Sequence, residues 1–214
     1  MKVAIAGKVG AVYTLDPEAV STIFAGGAQE CTACAEHKRY CVAPALQYLD
    51  PKKPVKVYRN SVEIHSGFCI EHFGGCVVFQ EAQSAQDAIT ILAYYFNPDD
   101  IKQSGGCFNW SLTIEVDEAD VTTYKTAQDS NGWKSFMPLL EGWSASAEAF
   151  WGDNSFFESL GKTIIVKLFI EAGAAQDYFG GYAVVTSNDI ETPVDGIVEE
   201  TIDFRGTGLL HVGI

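Results

Sequence analysis

Positive charge is scarce in this sequence. Its 214 residues include 14 Lys and Arg against 28 Asp and Glu, which gives a formal net charge of −14 at pH 7. Proteins that grip nucleic acids take much of their affinity from Lys and Arg side chains on the phosphates. The composition therefore argues against a phosphate-gripping nucleic-acid binder, although it is compatible with a surface past which DNA slides.

Long apolar runs are also missing. No stretch approaches the roughly 20 residues with which a helix spans a bilayer. Lys8 interrupts the apolar start of the chain, so residues 1–13 lack the core of an export signal. We therefore expect a soluble protein that is made in a cytoplasm and has no membrane contact. The apolar fraction of 47% is sufficient for a folded core.

None of the common catalytic motifs is present. The serine nucleophile elbow, the phosphate-binding loop and the HExxH zinc motif are absent from the sequence. The glycine pairs Gly105-Gly106 and Gly180-Gly181 fit turns, because no helix that could cradle a phosphate follows them. The four histidines are His37, His65, His72 and His211, and none lies in a nucleophile motif. The prediction is a protein that is not an enzyme and has no cofactor.

Six cysteines raise the question of a metal site. They are Cys31, Cys34, Cys41, Cys69, Cys76 and Cys107. Without an export signal, reduced thiols are the default. The spacing Cys31-x2-Cys34-x2-His37-x3-Cys41 could close a zinc site, but the second, separated ligand pair that makes such a pattern specific is missing. The preferred interpretation is loop or core thiols without a metal, and zinc is the alternative.

From residue 55 onward, short β-strand patterns follow one another closely. Each combines period-two alternation or β-branched and aromatic residues with turn residues at its ends. The predicted strands lie in 3–14, 55–67 with a turn at 59–61, 74–79, 89–96, 107–116, 142–151, 163–173, 181–187 and 197–204. Ser155 and Glu158 form a capping box for a short helix that ends at Gly161, and 124–141 is predicted as a loop with a helical turn. The fold class is mainly β, a sandwich or barrel with one short flanking α-helix.

Residues 15–54 show no regular pattern and contain the first three cysteines. A structureless loop of this length is unusual inside a compact domain. We therefore predict a single domain, 1–214, in which 15–54 is a long arm or a loop insertion.

Charge is distributed unevenly along the chain. The stretch 38–59 contains Lys38, Arg39, Lys52, Lys53, Lys56 and Arg59, opposed only by Asp50. The stretch 189–203 contains Asp189, Glu191, Asp195, Glu199, Glu200 and Asp203 and no basic residue. Either these are two solvated surfaces, or they meet between copies of the chain.

Two stretches share the pattern W-S-x-x-x-E: 109–115, NWSLTIE, and 142–151, GWSASAEAFW. Alternate side chains of a strand point to opposite faces. The predicted apolar faces hold Trp110, Leu112, Ile114 and Val116 on one strand, and Trp143, Ala145, Ala147, Ala149 and Trp151 on the other. The opposite faces hold Ser111, Thr113, Glu115 and Asp117, and Ser144, Ser146 and Glu148. The three alanines leave room for a close partner, and we expect Phe156, Phe157 and Leu160 of the short helix to pack there.

Three longer stretches resemble the major tail tube proteins of long-tailed bacteriophages. They are WSLTIEVDEADVTTYKT (110–126), GWKSFMPLLEGWSASAEAFW followed by FFESLG (132–161), and YFGGYAVVTSNDIETPVDGIVEETIDFRGTG (178–208). The order and spacing of these stretches carry the resemblance. It extends more loosely over 55–100, whereas 15–53 departs from the family pattern.

The resemblance implies a β-sandwich protomer whose inner sheet joins a β-barrel across a ring, usually of six copies. Stacked rings would form the tube of a virion tail, through which DNA passes at ejection. The implied partners are other copies of the chain and other tail proteins, namely the tape measure, the terminator and the distal tail protein. Assembly would take place in the host cytoplasm, and DNA would pass without specific binding.

Together with the strand faces, this makes seven residues candidates for lining the lumen: Ser111, Thr113, Glu115, Asp117, Ser144, Ser146 and Glu148. Hydroxyl and acidic side chains there would keep DNA repelled and mobile. The basic segment would lie away from the lumen, so Lys38, Arg39, Lys52, Lys53, Lys56 and Arg59 are candidates for contacts between subunits.

Three alternatives remain at this point. A tail terminator or connector shares the sandwich but caps a tube, and the inner tube of a contractile tail or secretion system forms a similar ring. A carbohydrate-binding or adhesin sandwich belongs to another class, in which Trp133, Trp151 and Tyr182 would be sugar platforms.

Overall fold

The computed structural model describes residues 11–16, 18–34, 36–104, 107–123, 125, 131–152, 155–170, 177–194 and 196–213. The strands of the first half are β1 (Ala11–Leu15), β2 (Thr22–Ile23), β3 (Gln29–Glu30), β4 (Thr32–Ala33), β5 (Arg39–Cys41), β6 (Lys56–Arg59), β7 (Val62–Ile64), β8 (Phe68–Glu71), β9 (Cys76–Phe79), β10 (Ile89–Leu92) and β11 (Tyr94–Tyr95). Those of the second half are β12 (Ile101–Gln103), β13 (Cys107–Asp120), β14 (Phe136–Phe150), β15 (Thr163–Phe169), β16 (Tyr178–Glu191), β17 (Glu199–Gly206) and β18 (His211–Gly213). One α-helical turn, α1, spans Ser155–Glu158, and 3₁₀ turns span Pro44–Leu46 and Pro98–Asp100. The predicted mainly β class is confirmed.

Eight strands form the largest sheet, in the order β12-β1-β15-β16-β17-β14-β13, with β18 paired to β16. Four strand spacings separate β13 from β15, which would place them ~19 Å apart in a flat sheet. The indole N–H of Trp110 on β13 nevertheless donates to the carbonyl of Phe169 at the end of β15 over 3.1 Å. The sheet therefore curls back on itself. We call these eight strands, with α1, the curled sheet.

The concave face of the curled sheet encloses its core. The core residues are Val12, Trp143, Ala145, Ala147, Ala149, Phe156, Ile164, Val166, Leu168, Ala183, Val185, Ile202 and Phe204. Trp143 packs directly on the neighbouring backbone, because a Cβ on Gly206 would lie 2.1 Å from its ring and a Cβ on Gly181 2.7 Å. Its indole N–H donates to the carbonyl of Gly208 over 3.1 Å. The two glycines thus provide the space in which this large side chain is buried.

Residues 18–99 form a second structural region, which we call the inserted lobe because it lies between β1 and β12 in the chain. It contains two four-stranded sheets, β3-β10-β6-β7 and β4-β5-β9-β8, and the pair β11-β2. Its core includes Phe24, Tyr40, Leu49, Val57 and Ile91. Much of the segment 15–54, expected as an arm or loop insertion, is therefore packed together with 55–96, since Phe24, Tyr40 and Leu49 are buried against strands of that later part.

A smaller apolar cluster joins the inserted lobe to the curled sheet. Tyr48 and Phe73 of the lobe pack with Leu15, Ile165 and Tyr182 of the sheet. The buried Tyr182 hydroxyl donates to the Leu49 carbonyl over 2.7 Å. The predicted turn at Gly180-Gly181 is wrong, because both glycines lie inside β16. At Gly180 a side chain would collide with the Phe73 ring, 2.5 Å from a built Cβ.

The long hairpin β13–β14 extends further than the sequence indicated. Residues 136–141, predicted as part of a loop, belong to β14. Pro138 lies there opposite Glu118, beside an irregularity between Val116 and Glu118. β17 pairs only with residues 144–150 of β14. Among the described residues, β14 has only one neighbouring strand, β13, at the level of Pro138. The N–H that proline lacks is therefore not needed to pair with a second strand, and the proline is tolerated.

The short helix and its surroundings agree with the prediction only in part. Phe156 is buried and lies against Phe204, with the ring centroids 6.3 Å apart. Phe157 and Leu160 are 63% and 47% exposed, because a single helical turn presents only one of these side chains to the core. Gly161 ends the turn with φ +73°, as predicted. Trp151, expected on the buried face, is 43% exposed because β14 ends at Phe150.

One further predicted feature is confirmed. The turn at residues 59–61 joins β6 to β7, with Asn60 and Ser61 at positive φ, 51° and 67°. A two-residue hairpin turn requires this left-handed backbone at both positions.

Candidate functional site

The predicted polar faces of the two W-S strands lie side by side on the convex surface of the curled sheet. β13 and β14 pair so that Ser111 lies opposite Ser146 and Thr113 opposite Ser144. Residues directly opposite each other in an antiparallel pair project from the same face. The four hydroxyl side chains therefore form one patch, and the alternation that predicted them is confirmed.

The patch continues across two strands that the sequence reasoning did not include. Asp203 and Arg205 on β17 lie opposite Ser146 and Ser144, and the Ser187 hydroxyl on β16 donates to the Asp203 carboxylate over 2.7 Å. Asp203 and Arg205, with the four hydroxyl side chains and Thr186, line a shallow recess of about 270 Å³. We call the surface formed by Ser111, Thr113, Ser144, Ser146, Thr186, Ser187, Thr201, Asp203 and Arg205 the polar face. The alternation of Thr201, Asp203 and Arg205 with the buried Ile202 and Phe204 was a signal that could have revealed it.

The three predicted carboxylates of the strips lie at the margins of this patch. Glu148 accepts a hydrogen bond from the Asn109 amide over 3.1 Å, opposite that residue on β13. Glu115 lies opposite Gly142, and Asp117 lies at the irregularity between Val116 and Glu118. Both are exposed. The patch is thus hydroxyl-rich at its centre and acidic along the hairpin.

The outer half of the hairpin also exposes large apolar side chains. Ile114 and Val116 are 60% and 46% exposed, and Leu139 and Leu140 are 51% and 76% exposed. The prediction that Ile114 and Val116 are buried is wrong, because both strands extend beyond the core at this level. Trp110 and Leu112, nearer the base, are half-buried against the core as predicted. Phe136 and Met137, 53% and 49% exposed, extend the apolar surface toward the tip.

The tip of the hairpin is held by a local polar network. The Thr122 backbone N–H donates to the Asp120 carboxylate over 3.0 Å, and the Lys134 ammonium lies 3.2 Å from the same carboxylate. Hydrogen bonds from Thr122, followed by the charge of Lys134, lower the pKa of Asp120 to about 2. The Ser135 N–H donates to the Thr122 hydroxyl over 2.8 Å. This end of the hairpin is therefore ordered beyond the strand ladder.

All six predicted basic contact residues lie in the inserted lobe, on β5, on β6 and in the segments that precede these two strands. Arg39 on β5 is paired with Glu71, Lys56 on β6 lies 3.8 Å from Glu63, and Arg59 donates to Gln83 over 2.8 Å. Lys53 lies over the Tyr94 ring, 5.6 Å from its centroid. Lys38 and Lys52 are exposed. Four of these six side chains thus have partners within the chain.

The acidic stretch 189–203 runs from the end of β16 into the first part of β17. Glu191 lies directly opposite Glu199, an arrangement of like charges that weakens a strand pair. Glu200 is buried opposite Ala149, on the core side of the sheet. Asp195 lies outside the described residues.

Cys41 and Cys76 form a disulfide between opposite positions of β5 and β9, which differs from the reduced state expected by default. Cys41 is therefore not available as a ligand in the predicted zinc spacing. In the described part of the chain, no three His, Cys, Asp or Glu side chains are grouped so that they could hold a metal. Cys34 and Cys69 are exposed, while burial raises the pKa of Cys31 to about 12 and that of Cys107 to about 11.

The candidate sugar platforms do not form one surface. Tyr182 is buried in the cluster between lobe and sheet, whereas Trp133 and Trp151 are 76% and 43% exposed. Within the described ranges, no helix has the length and apolar character needed to cross a membrane.

The solved structures that are similar to this chain include two of gene transfer agent particles. The tail of an empty particle, refined with helical C6 symmetry, matches with a TM-score of 0.42 and 15% sequence identity over 54% of this chain and 87% of that chain. The virion of a native particle matches with a TM-score of 0.40 and 16% identity over 51% of this chain and 86% of that chain. No protein-family model matches the sequence, and no curated protein matches it either.

Proposed function

We propose that this chain is a major tail tube protein of a long-tailed, phage-like particle, which assembles into stacked rings, usually of six copies. One observation carries the proposal: a face of hydroxyl side chains lies at the base of a hairpin whose outer half exposes both carboxylates and large apolar side chains. The first surface suits contact with water and passing DNA, and the second suits burial against other copies.

The polar face has the chemistry that a DNA-conducting wall needs. Ser111, Thr113, Ser144 and Ser146 carry no charge and hold water, so they offer no site at which phosphates stay bound. Glu115, Asp117 and Glu148 add negative charge along the same hairpin, which repels the DNA backbone and keeps it away from the wall. In the proposed tube, these seven residues line or flank the lumen.

The exposed hairpin supplies the adhesive surface. Leu139, Leu140, Ile114 and Val116 are exposed apolar side chains distributed over both faces of the hairpin, and a monomer in water would not gain by exposing them. The outer edge of β13 is also unpaired in the described strand order. Open strand edges invite pairing with another chain, and closure into a ring removes them. The hairpin is therefore proposed as the main contact between copies.

The other predicted roles follow from this placement. The basic residues of the inserted lobe remain candidates for contacts between subunits, away from the lumen. The partners would be further copies of the chain and the other proteins of a virion tail, with DNA in transit and no specific nucleic-acid site.

The hairpin contact can be tested by removing its apolar side chains. In the double variant Leu139→Ser with Leu140→Ser, we expect a folded protein that stays monomeric at concentrations where the unchanged chain forms tubes. Sedimentation velocity and negative-stain micrographs would report this.

A matched control removes two equally exposed apolar side chains from the inserted lobe, Val20→Ser with Val62→Ser, which are 76% and 67% exposed in the native chain. This control should assemble normally. Normal tubes from the hairpin variant would contradict the proposed contact, and single rings from the unchanged protein would indicate a terminator instead of a tube.

A further inference from the structure

We propose that the inserted lobe, residues 18–99, projects from the outer wall of the tube and is the surface that the assembled particle presents to its surroundings. The inference rests on the proposed function, because it takes the polar face as the wall of the lumen. The region has about 80 residues, counted from its bounds, and none of them belongs to the β13–β14 hairpin that is proposed to form the tube. The inference gives this region a place in the assembled particle.

The chain enters and leaves the lobe at one place on the curled sheet. Its two ends leave from neighbouring strands, since Leu15 of β1 lies opposite Ile101 of β12. Just beyond this pair, the Asp16 N–H donates to the Asp100 carbonyl over 2.9 Å, and the Lys102 ammonium lies 3.0 Å from the Asp16 carboxylate. Chain entry and exit are thus clamped side by side, as in an insertion into an existing fold.

The lobe covers the convex surface of β1, β15 and the first half of β16. Ile165 and Tyr182 project from that surface into the cluster with Tyr48 and Phe73, and Phe73 packs over Gly180. The polar face occupies the convex surface of β13, β14, β17 and the second half of β16, where Ser187 lies. The two surfaces therefore share a convex side but occupy different strands.

The curl of the sheet turns these two convex surfaces away from each other. Trp110 of β13 reaches the Phe169 carbonyl of β15 across the core, so these strands lie on opposite walls of the apolar interior. The convex side of β13 and β14 then faces one way and the convex side of β1 and β15 the other. If the first lines the lumen, the second, with the lobe on it, faces outward.

Charge supports the same placement. The lobe has six Lys and Arg against nine Asp and Glu, whereas the remainder of the chain has eight against nineteen. Lys38, Lys52 and Lys53 are exposed on the lobe. The polar face as defined above has one cation, Arg205, which lies two residues from Asp203 on the same face of β17. Three exposed lysines from each lobe would add further cations to every subunit of a narrow channel, where they would bind DNA phosphates and hinder passage. On the outer wall they carry no such cost.

The lobe offers natural probes for this placement, because Cys34 and Cys69 are both exposed there. Assembled tubes and dissociated subunits would be treated with a maleimide bearing a polyethylene glycol chain, and the modified positions identified by peptide mapping. A Ser146→Cys variant serves as the lumen probe. Electron microscopy first shows whether the protein forms tubes. If it does not, the proposed function fails at this stage, before any labelling is done.

We expect assembly to change the labelling rates of Cys34 and Cys69 by less than about threefold, because exposed thiols keep their access. A larger drop in both rates on assembly would overturn the outer placement while leaving the tube itself intact. The lumen probe has a separate meaning: if assembly fails to slow labelling in the Ser146→Cys variant, the polar face is not the wall of the bore.

Discussion

The curled sheet and the inserted lobe are built from the same kind of antiparallel strands, yet their surfaces differ. All four tryptophans, Trp110, Trp133, Trp143 and Trp151, belong to the part of the chain outside the lobe, as do nineteen of the 28 acidic residues. The lobe is close to neutral and holds the disulfide. The proposed function assigns the first region to contact with copies of the chain and passing DNA, and the proposed outer placement assigns the second to contact with the surroundings.

The largest effect on stability is expected for Trp143→Ala in the curled sheet. The change removes a buried indole from its seat on Gly181 and Gly206, together with its hydrogen bond to Gly208. Large-to-small substitutions of this kind cost roughly 3–5 kcal/mol of unfolding free energy. Urea unfolding followed by circular dichroism would measure it.

The matched control is Trp133→Ala, at a tryptophan that is 76% exposed. Surface substitutions usually stay within about 0.5 kcal/mol. Similar losses for the two variants would show that Trp143 does not anchor the core.

A smaller effect is expected for Tyr182→Phe, which tests how firmly the two regions are joined. The change removes the donor from the buried Leu49 carbonyl. An acceptor left without its partner in the interior costs about 1–3 kcal/mol.

All four tryptophans lie outside the lobe, so tryptophan fluorescence follows the unfolding of the curled-sheet region alone. The midpoint of this unfolding transition can be compared with the midpoint measured by circular dichroism, which follows the whole protein. The two should separate in Tyr182→Phe and coincide in the half-buried control Tyr58→Phe. Coincident transitions in both variants would contradict a specific coupling through this hydroxyl.

The contact between the regions should also depend on pH. Burial lowers the pKa of His72 and of His211, below the ordinary value of 6.5, and Arg39 lowers that of His211 further while Glu71 opposes this. The unfolded chain therefore binds more protons than the folded one below that value, and stability is lost as the pH falls through 6.5 toward 5.

His211 stacks on Phe73 of the lobe, with centroids 5.1 Å apart, so the loss should appear first at this contact. Melting temperatures measured between pH 8 and 5 should fall less steeply in His211→Gln. His65→Gln gives the control, because this exposed histidine lies outside the contact between the lobe and the sheet. A native slope that is flat across this range would contradict the account.

The smallest effect is expected at the hairpin tip, in Asp120→Ala. Hydrogen bonds from Thr122, with Lys134, hold the pKa of Asp120 at about 2, below its ordinary 3.8. The lowered pKa means that this contribution is present above 3.8 and disappears as the pH falls toward 2. Hydrogen exchange at Thr122 should quicken in the variant, with global stability unchanged; unaltered exchange would show that the carboxylate does not order the tip.

Structural features that depend on residues close together in the sequence could be predicted from it, whereas features that depend on distant residues could not. Trp143, Ala145, Ala147 and Ala149 alternate with Ser144, Ser146 and Glu148, and strand geometry alone places the two sets on opposite faces. The same alternation misled at Ile114 and Val116, since a strand pattern does not say where the core beneath it stops.

The inserted lobe was harder to predict because its structure depends on contacts between distant residues. Tyr40 and Leu49 come from a stretch without periodicity, and their burial requires strands that follow later in the chain. The Cys41–Cys76 disulfide bridges a separation of 35 residues. Six cysteines allow many pairings, and spacing alone does not select one.

The central claim is that the hydroxyl-rich polar face lines a bore made by many copies. A cryo-electron microscopy reconstruction of the assembled protein tests it most directly. The account predicts a tube in which Ser111, Thr113, Ser144 and Ser146 point into the lumen of every ring. A tube with these side chains on its outer wall, or a protein that stays monomeric at every concentration, would contradict it.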